Sequence, residues 1–401
     1  MWVLTVPAIW SDSAKQFMRE AAKDAGIEKH QLRIALEPEA ASLYCQHIPT
    51  ETLVDASGAK FGVSGAGTRY MVVDLGGGTA DITVHEKQSD GTLRELHQAS
   101  GGDWGGTKVD SEFDMLLTKL VSAKIIKDFC TQHKSDSLDL QREMETKKRT
   151  ITSDSIDKVT VKIPVQLTDA FEKQSGETIA SVIEQTRYAK KLNWVGDKMR
   201  MEAKVFLDLF ENCKNNIVGQ IKEIMAEPEV KGVSTILMVG GFSECQVIQD
   251  AIRKAFPDKK IIIPDQAGLA VLKGAVIFGY NPEQISARVS KYTYGINISP
   301  PFQPGVHPEN KKVVVDGGTR CRDVFKKYVS VGQPLEIGKF AKGRHTTIKK
   351  NQESMILRVY ASPEKTPKYV TDEKCQCLGR VVVTLPAKDE KTEYRCQNDV
   401  R

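Results

Sequence analysis

Val72-Val73-Asp74-Leu75-Gly76-Gly77-Gly78-Thr79-Ala80-Asp81 is the stretch on which the fold turns. A run of buried-type residues delivers a carboxylate, Asp74, to the mouth of a glycine turn, and Ala80 to Glu86 then alternates as a returning strand. Three glycines remove every Cβ from the turn, so consecutive backbone N–H groups can close on phosphate oxygens. Asp74 and Asp81 suit magnesium, which keeps several waters and is usually held by one or two carboxylates beside substrate phosphates. Thr79 adds a hydroxyl. A triple glycine alone reads as a capped hairpin; the two acids and the threonine turn it into a phosphate motif.

On the N-terminal side, residues 1–45 read as parallel β/α wiring. Val3 to Val6 is an apolar strand, Asp12-Ser13 caps a helix running towards Gly26, and Leu32 to Leu36 is a second strand. Ala40 to Cys45 is helical after Pro38, a residue tolerated in a first turn. A Ser-, Gly- and Ala-rich loop spans Ser57 to Gly67. Beyond the motif, 107–151 reads as helical, Val159 to Leu167 as a strand, and Met199 to Ala226 as one long amphipathic helix. Thr235 to Val239 is a strand, Gly240-Gly241 leads into a helix, and Gly268 to Phe278 is a helix rich in small residues. After Tyr280 the pattern is strands without long helices, at Tyr292 to Ile298, Lys312 to Val315, Met355 to Tyr360 and Gly379 to Leu385.

Composition excludes some classes. Fifty-seven Lys and Arg against 52 Asp and Glu are interspersed, and the densest basic run, Lys147-Lys148-Arg149, follows acids at Glu143 and Glu145, unlike a patch that tracks a nucleic-acid backbone. No apolar run approaches the roughly 20 residues of a membrane helix. The eight cysteines include no Cys-x-x-Cys pair, and Cys375-Gln376-Cys377 reads as strand neighbours rather than half a metal site. The expected setting is cytoplasmic, with no nucleic acid and no membrane as partners.

The segment Asp74 to Asp81 resembles the second phosphate motif shared by actin, sugar kinases and the seventy-kilodalton heat-shock chaperones. Val3-Leu4-Thr5-Val6-Pro7-Ala8, Ser11-Asp12-Ser13 and Leu36-Glu37-Pro38-Glu39-Ala40-Ala41 follow the chaperones' order and spacing. The Trp104 turn and the C-terminal region look most like the divergent heat shock 70 kDa protein 12 subgroup. The resemblance implies an α/β fold, an actin-like (ribonuclease-H-like) nucleotide-binding domain. Residues 1–66 would form the first lobe, with 267–281 returning to it, 67–266 the second lobe, and 285–401 a β-rich substrate-binding-like domain.

The same resemblance implies ATP or ADP with magnesium as cofactors. Glu37, Asp74 and Thr79 would be the catalytic side chains, and Asp74, Asp81 and Glu37 would order the magnesium, mainly through water. Glu37 also reads simply as a helix-start acid. Nucleotide contacts would come from Gly76, Gly77, Gly78 and Asp81, from Gly105 and Gly106 in the Trp104 turn, from Glu145, Lys148 and Arg149, and from Gly240, Gly241 and Ser243. Arg stacks on a purine face and a carboxylate accepts from ribose hydroxyls; a solvated charged face accounts for the same three residues. Trp104 is either a core anchor or a ligand contact.

Departures from the family pattern carry their own expectations. Glu244 stands where an arginine against the adenine is usual, which weakens the expected hold on the base. Lys15 replaces the arginine partner of Pro7 and loses its planar fork. The family's leucine-rich linker is not recognisable in Pro282 to Ser290. The resemblance starts partway into the first lobe, without a counterpart for the opening hairpin, its phosphate loop and its catalytic lysine. The expectation is therefore weak ATP binding, poor hydrolysis and an open parallel edge beside Val3 to Val6. In the β domain, Asn351 to Leu385 resembles a peptide-binding sandwich, with unfolded or regulatory polypeptides as partners; ordinary sandwich core explains the alternation equally. The reading is an ATP-binding, stress-response chaperone-like protein or, alternatively, a non-catalytic interaction scaffold.

Overall fold

The computed structural model describes residues 1–48, 65–345, 347, 353–385 and 394–398. The stretch 57–64 of the Ser/Gly/Ala-rich loop and residues 351–352 of the sandwich segment lie outside them. Packing divides the chain into two units. The first comprises Met1–Trp10, Arg19–Val84 and Ser100–Pro282; the second comprises Ser11–Met18, His85–Ala99 and Glu283–Arg401.

The chain opens with β1 (Trp2–Val6), α1 (Asp12–Asp24), β2 (Leu32–Leu36) and α2 (Glu37–His47). β1 and β2 pair in parallel with Val6 beside Leu36. Among the described residues β1 pairs with β2 alone, and Trp2 is 61% exposed. The cap of α1 is one residue earlier than the expected Asp12-Ser13: Ser11 Oγ accepts from the Ala14 N–H at 3.2 Å, because a short hydroxyl reaches N3 only from the residue just outside the helix. Pro38 sits in the first turn of α2, as expected.

The motif itself folds as β3 (Arg69–Leu75) and β4 (Ala80–Lys87), neighbours in a sheet, followed by β5 (Leu93–Gly102). Residues 107–151 are helical but in three pieces, α3 (Gly106–Val121), α4 (Ala123–Gln132) and α5 (Lys134–Thr150). The expected strand Val159 to Leu167 is shorter. β6 covers Val159–Lys162, and α6 (Val165–Ser175) starts behind Pro164, whose fixed φ suits a helix entry. After α7 (Ile179–Glu184), β7 (Leu192–Val195) and β8 (Lys198–Met201) form an antiparallel pair around Gly196.

The expected single helix Met199 to Ala226 is thereby corrected. Met199 and Met201 are buried while Lys198 and Arg200 are exposed, a period of two that belongs to a strand. The helical part resumes as α8 (Ala203–Leu207) and, after a tight turn, α9 (Glu211–Met225). β9 (Thr235–Val239), α10 (Gln246–Ala255), β10 (Lys260–Ile262) and α11 (Ala270–Tyr280) complete the first unit, whose sheet runs β10-β9-β3-β4. β9 lies parallel to both β10 and β3, with Val239 beside Asp74. Every residue of β9 and all but the first of β3 are buried, as a parallel strand covered on both faces requires. α11 packs on α2 so closely that a Cβ on Gly274 would lie 1.6 Å from the Ala40 carbonyl oxygen.

In the second unit, β11 (Ile285–Val289) pairs in parallel with β5 and antiparallel with β16 (Pro334–Glu336). A four-stranded sheet runs β15 (Val324–Val329), β12 (Thr293–Ile298), β18 (Ser354–Ser362) and β19 (Gln376–Thr384). Its core is Ile296, Met355, Leu357 and Leu385. β13 (Lys312–Val315) with β14 (Gly318–Cys321), and β17 (Ala341–His345) with β20 (Tyr394–Asn398), are separate two-stranded pairs.

Candidate functional site

The glycine turn is built by what its carbonyls do. Gly76 N–H donates to the Thr79 carbonyl at 2.9 Å and closes the bend. The carbonyls of Gly76, Gly77 and Gly78 are taken by the N–H groups of Gly106, Thr107 and Gly105, at 3.1, 2.8 and 3.3 Å, and Thr107 Oγ1 adds a bond to Gly77 at 2.9 Å. The N–H groups of Gly77 and Gly78 donate to nothing among the described residues, and both glycines are exposed with open space where a Cβ would be. A turn with spent acceptors and unspent donors has the hydrogen-bonding balance of an anion nest.

Gly105 is required for this contact. A Cβ there would lie 2.4 Å from the Gly77 carbonyl oxygen, which fixes the Gly-rich turn at Trp104 as the brace behind the nest. Gly101 similarly lies against Ala80, and the Trp104 ring covers Gly102 and is partly buried. Thr79 is half-buried at the exit of the turn.

Three acids meet at the base of the turn. Asp74 and Asp81 are buried, and Glu37, in the first turn of α2, is partly so. Asp81 Oδ1 accepts the Ile9 N–H at 2.8 Å. Asp74 Oδ2 is buried without a hydrogen bond among the described residues. Burial, then the charges of Glu37 and Asp81, push the Asp74 carboxyl well above its ordinary range; burial and Asp81 push Glu37 up to about 7. Asp74 and Glu37 are thus acids whose ionised forms are disfavoured by burial and by one another's neighbourhood. No group of three His, Cys, Asp or Glu side chains among the described residues is placed to hold a metal ion directly.

The second glycine turn abuts the first. Gly240, at φ +85°, would place a Cβ 2.5 Å from Asp74 Oδ1 and 2.4 Å from the Leu75 carbonyl oxygen, so only glycine fits between the ends of β3 and β9. Ser243 is fully buried and spends its hydroxyl on the Gly240 carbonyl at 2.6 Å, holding the turn from behind. Gly241 lies beside Gly268 with open space above its Cα, and Gly106 packs on the Phe242 ring.

The charged end of α5 completes the lining. Lys148 is buried, and its Nζ bonds Asp110 and Glu145, each at 2.8 Å, and the Gly106 carbonyl at 3.3 Å. Burial opposes its charge, but the two carboxylates outweigh burial and hold its pKa above the ordinary value. All three of its protons are therefore committed within the protein. Arg149 is exposed, with Nε on Glu145 at 2.7 Å and a guanidinium nitrogen 3.9 Å from Glu244. Contacts thus link Asp74 to Gly240, the turn Gly76–Gly78 to Gly105 and Gly106, and Gly106 through buried Lys148 to Glu145 and Arg149. Ile9, Phe242 and Gly268, which sequence reading did not single out, hold Asp81, Gly106 and Gly241; a backbone donor and two packing contacts leave no local signature.

Both glycine turns fall within stretches of the chain that match known proteins. The Hsp70 protein family model matches residues 1–298. Heat shock 70 kDa protein 12A of Mus musculus is 34% identical over 97% of this chain and 66% of its own length. Heat shock 70 kDa protein 12B of Homo sapiens is 33% identical over 97% and 64%. Chaperone protein DnaK of Thermotoga neapolitana is 24% identical over 78% and 48%. The chain spans about two thirds of the length of the 12A and 12B relatives and about half that of DnaK. Since the match takes in both phosphate-motif strands, the Gly240 turn and the start of the β-rich region, the chain belongs to the Hsp70 family, with its actin-like ATPase fold.

Proposed function

We propose that the first unit binds magnesium–ATP in the cleft between the two glycine turns and that the second unit engages unfolded or regulatory polypeptide, as a chaperone-like protein of the cytosol. The buried, unpaired oxygen of Asp74 beside a nest of unspent N–H groups supports this most directly. Asp74, Asp81 and Glu37 would hold magnesium mainly through water, and the bound ion would supply charge to stabilise the ionised acids and the phosphates. Glu37, poised to titrate near neutrality, accepts a proton from water, and Gly77 and Gly78 orient the phosphate oxygens. Residues 1–66 with 267–281, and 67–266, serve as the two lobes of this reading, and 285–401 as the polypeptide domain. Among the described residues seven of the eight cysteines are free thiols, as is usual in a reducing compartment.

A melting scan with saturating magnesium–ATP tests the reading. At 100 times its dissociation constant the ligand contributes about 2.7 kcal/mol, several degrees for a unit of this size. Wild type should shift and Asp74→Ala should not; equal, absent shifts in both would remove nucleotide from the site. The second reading, a scaffold that keeps the fold without turnover, is favoured by the acid at Glu244, and nucleotide binding without phosphate release is its expected outcome.

A further inference from the structure

We propose that the outer face of β18 and β19 takes an extended acidic segment of a partner polypeptide, added as a strand along β19 with its carboxylate at Arg358 and Arg380. The inference rests on the reading of the second unit as a polypeptide domain and names the chemistry that this face selects. Antiparallel register sets Arg358 directly opposite Arg380, with Ile356 opposite Val382 on the next rung of the same face. Met355 and Leu357, one residue out of step, are buried in the core of the sheet, so both rungs point away from it. The two arginines are exposed, as are Ile356 at 47% and Val382 at 55%. Like charges directly opposite one another destabilise a strand pair, and among the described residues neither guanidinium has a hydrogen bond or ion pair to offset that. Elsewhere in the unit Lys311, Arg322 and Lys374 each meet a carboxylate. One basic residue is enough to discourage an edge strand from pairing with its own kind. A second in the same rung adds only repulsion unless an anion comes to sit beside both.

What carries the anion follows from the groups beside the arginines. Among the described residues β19 pairs with β18 alone, so its far edge offers backbone N–H and C=O groups that a peptide strand can complete and a phospholipid or nucleic acid cannot. A strand seated there sets its own alternate side chains beside Arg380 and Val382. The fitting segment therefore carries a glutamate or aspartate two residues from an aliphatic side chain. A guanidinium holds a carboxylate through two parallel N–H bonds, and the second arginine, one strand away, adds its charge, so the repulsion built into the rung becomes attraction for the guest.

The test measures fluorescence anisotropy of two labelled peptides with the full chain. Both carry valine at alternate positions, and they differ only at the centre, glutamate in one and lysine in the other. Wild type should bind the glutamate peptide about tenfold more tightly, as two exposed ion pairs of up to about fivefold each allow, and the preference should shrink as salt rises. Arg358→Gln combined with Arg380→Gln should erase the preference while the melting temperature holds or rises, because the variant loses only repulsion. Arg380→Glu, which gives Arg358 an acid across the rung, should likewise erase it and raise the melting temperature. Equal binding of the two peptides by wild type, or a preference that survives the double substitution, overturns the role of the arginines while leaving the polypeptide reading intact. Binding of neither peptide overturns both. Phosphatidylserine vesicles that bind wild type and not the double variant, with no preference between the peptides, would assign the rung to a membrane surface and overturn the proposal.

Discussion

The two ends of the cleft treat charge in opposite ways. At the end of α5, Lys148 is buried among Asp110, Glu145 and the Gly106 carbonyl, and Arg149 is flanked by Glu145 and Glu244. Every cation there has a carboxylate. Below the nest, Asp74, Asp81 and Glu37 face one another, with one Asp74 oxygen buried and unbonded among the described residues. Satisfied charge is structure, and it holds α5 to the Gly105-Gly106 segment whether or not a ligand is present. An acid buried without a partner resists ionisation, so its charged form costs stability unless a donor or a cation stabilises it.

Removing a charge should therefore have opposite signs at the two ends. The largest effect is expected at Lys148. Lys148→Met leaves Asp110 and Glu145 without their shared cation and cuts the link to Gly106, at a cost of about 2–3 kcal/mol, below the value for a fully buried pair because both acids are partly exposed. Urea unfolding measures it, and a loss under about 0.5 kcal/mol would place Lys148 with ordinary surface ion pairs. A smaller effect of the opposite sign is expected at the acids. Asp74→Asn keeps the shape, removes an acid whose ionised form burial and the neighbouring acids disfavour, and should raise ligand-free stability at pH 8 by about 1 kcal/mol while abolishing the magnesium–ATP shift. A destabilised Asn variant would mean that Asp74 is already satisfied, and the contrast between the two ends would fail.

How much of this was legible in the residues follows from the range over which each signal acts. The glycine turn, β3, β4, β9 and the parallel β/α opening were readable because period and punctuation are local. Pairing of Val239 with Asp74, which brings the two turns together, joins segments far apart in the chain and came only through resemblance. The helix expected over Met199 to Ala226 was misread because Met199 and Met201 fit a helical stripe as well as a two-residue alternation. Burial of Lys148 was invisible as well: Glu145-Thr146-Lys147-Lys148-Arg149 looks like a solvated helix face until Asp110 and Gly106 are brought against it. Ser243 read as a ligand contact by position, while its hydroxyl is spent on Gly240.

The smallest effect, and the one that tests the acid end without a ligand, is the pH dependence. An acid whose pKa is raised on folding binds more protons in the native chain than in the unfolded one, so stability falls as pH rises from the unfolded value towards the folded one. For Glu37 that window runs from about 4.5 to about 7, and Asp74, raised by burial and by the same neighbours, acts in the same direction. Ligand-free wild type should lose stability across the window relative to Glu37→Gln, a difference in which histidines and remote acids cancel. Magnesium favours the ionised carboxylates, so saturating magnesium–nucleotide should remove the loss or invert it. The two curves should converge below about pH 4.5, where Glu37 is protonated in both states, and separate as pH approaches 7. Parallel curves from pH 4 to 8 would show that neither burial nor the charge of Asp81 raises the Glu37 carboxyl on folding, and the acid cluster would lose its part in the contrast.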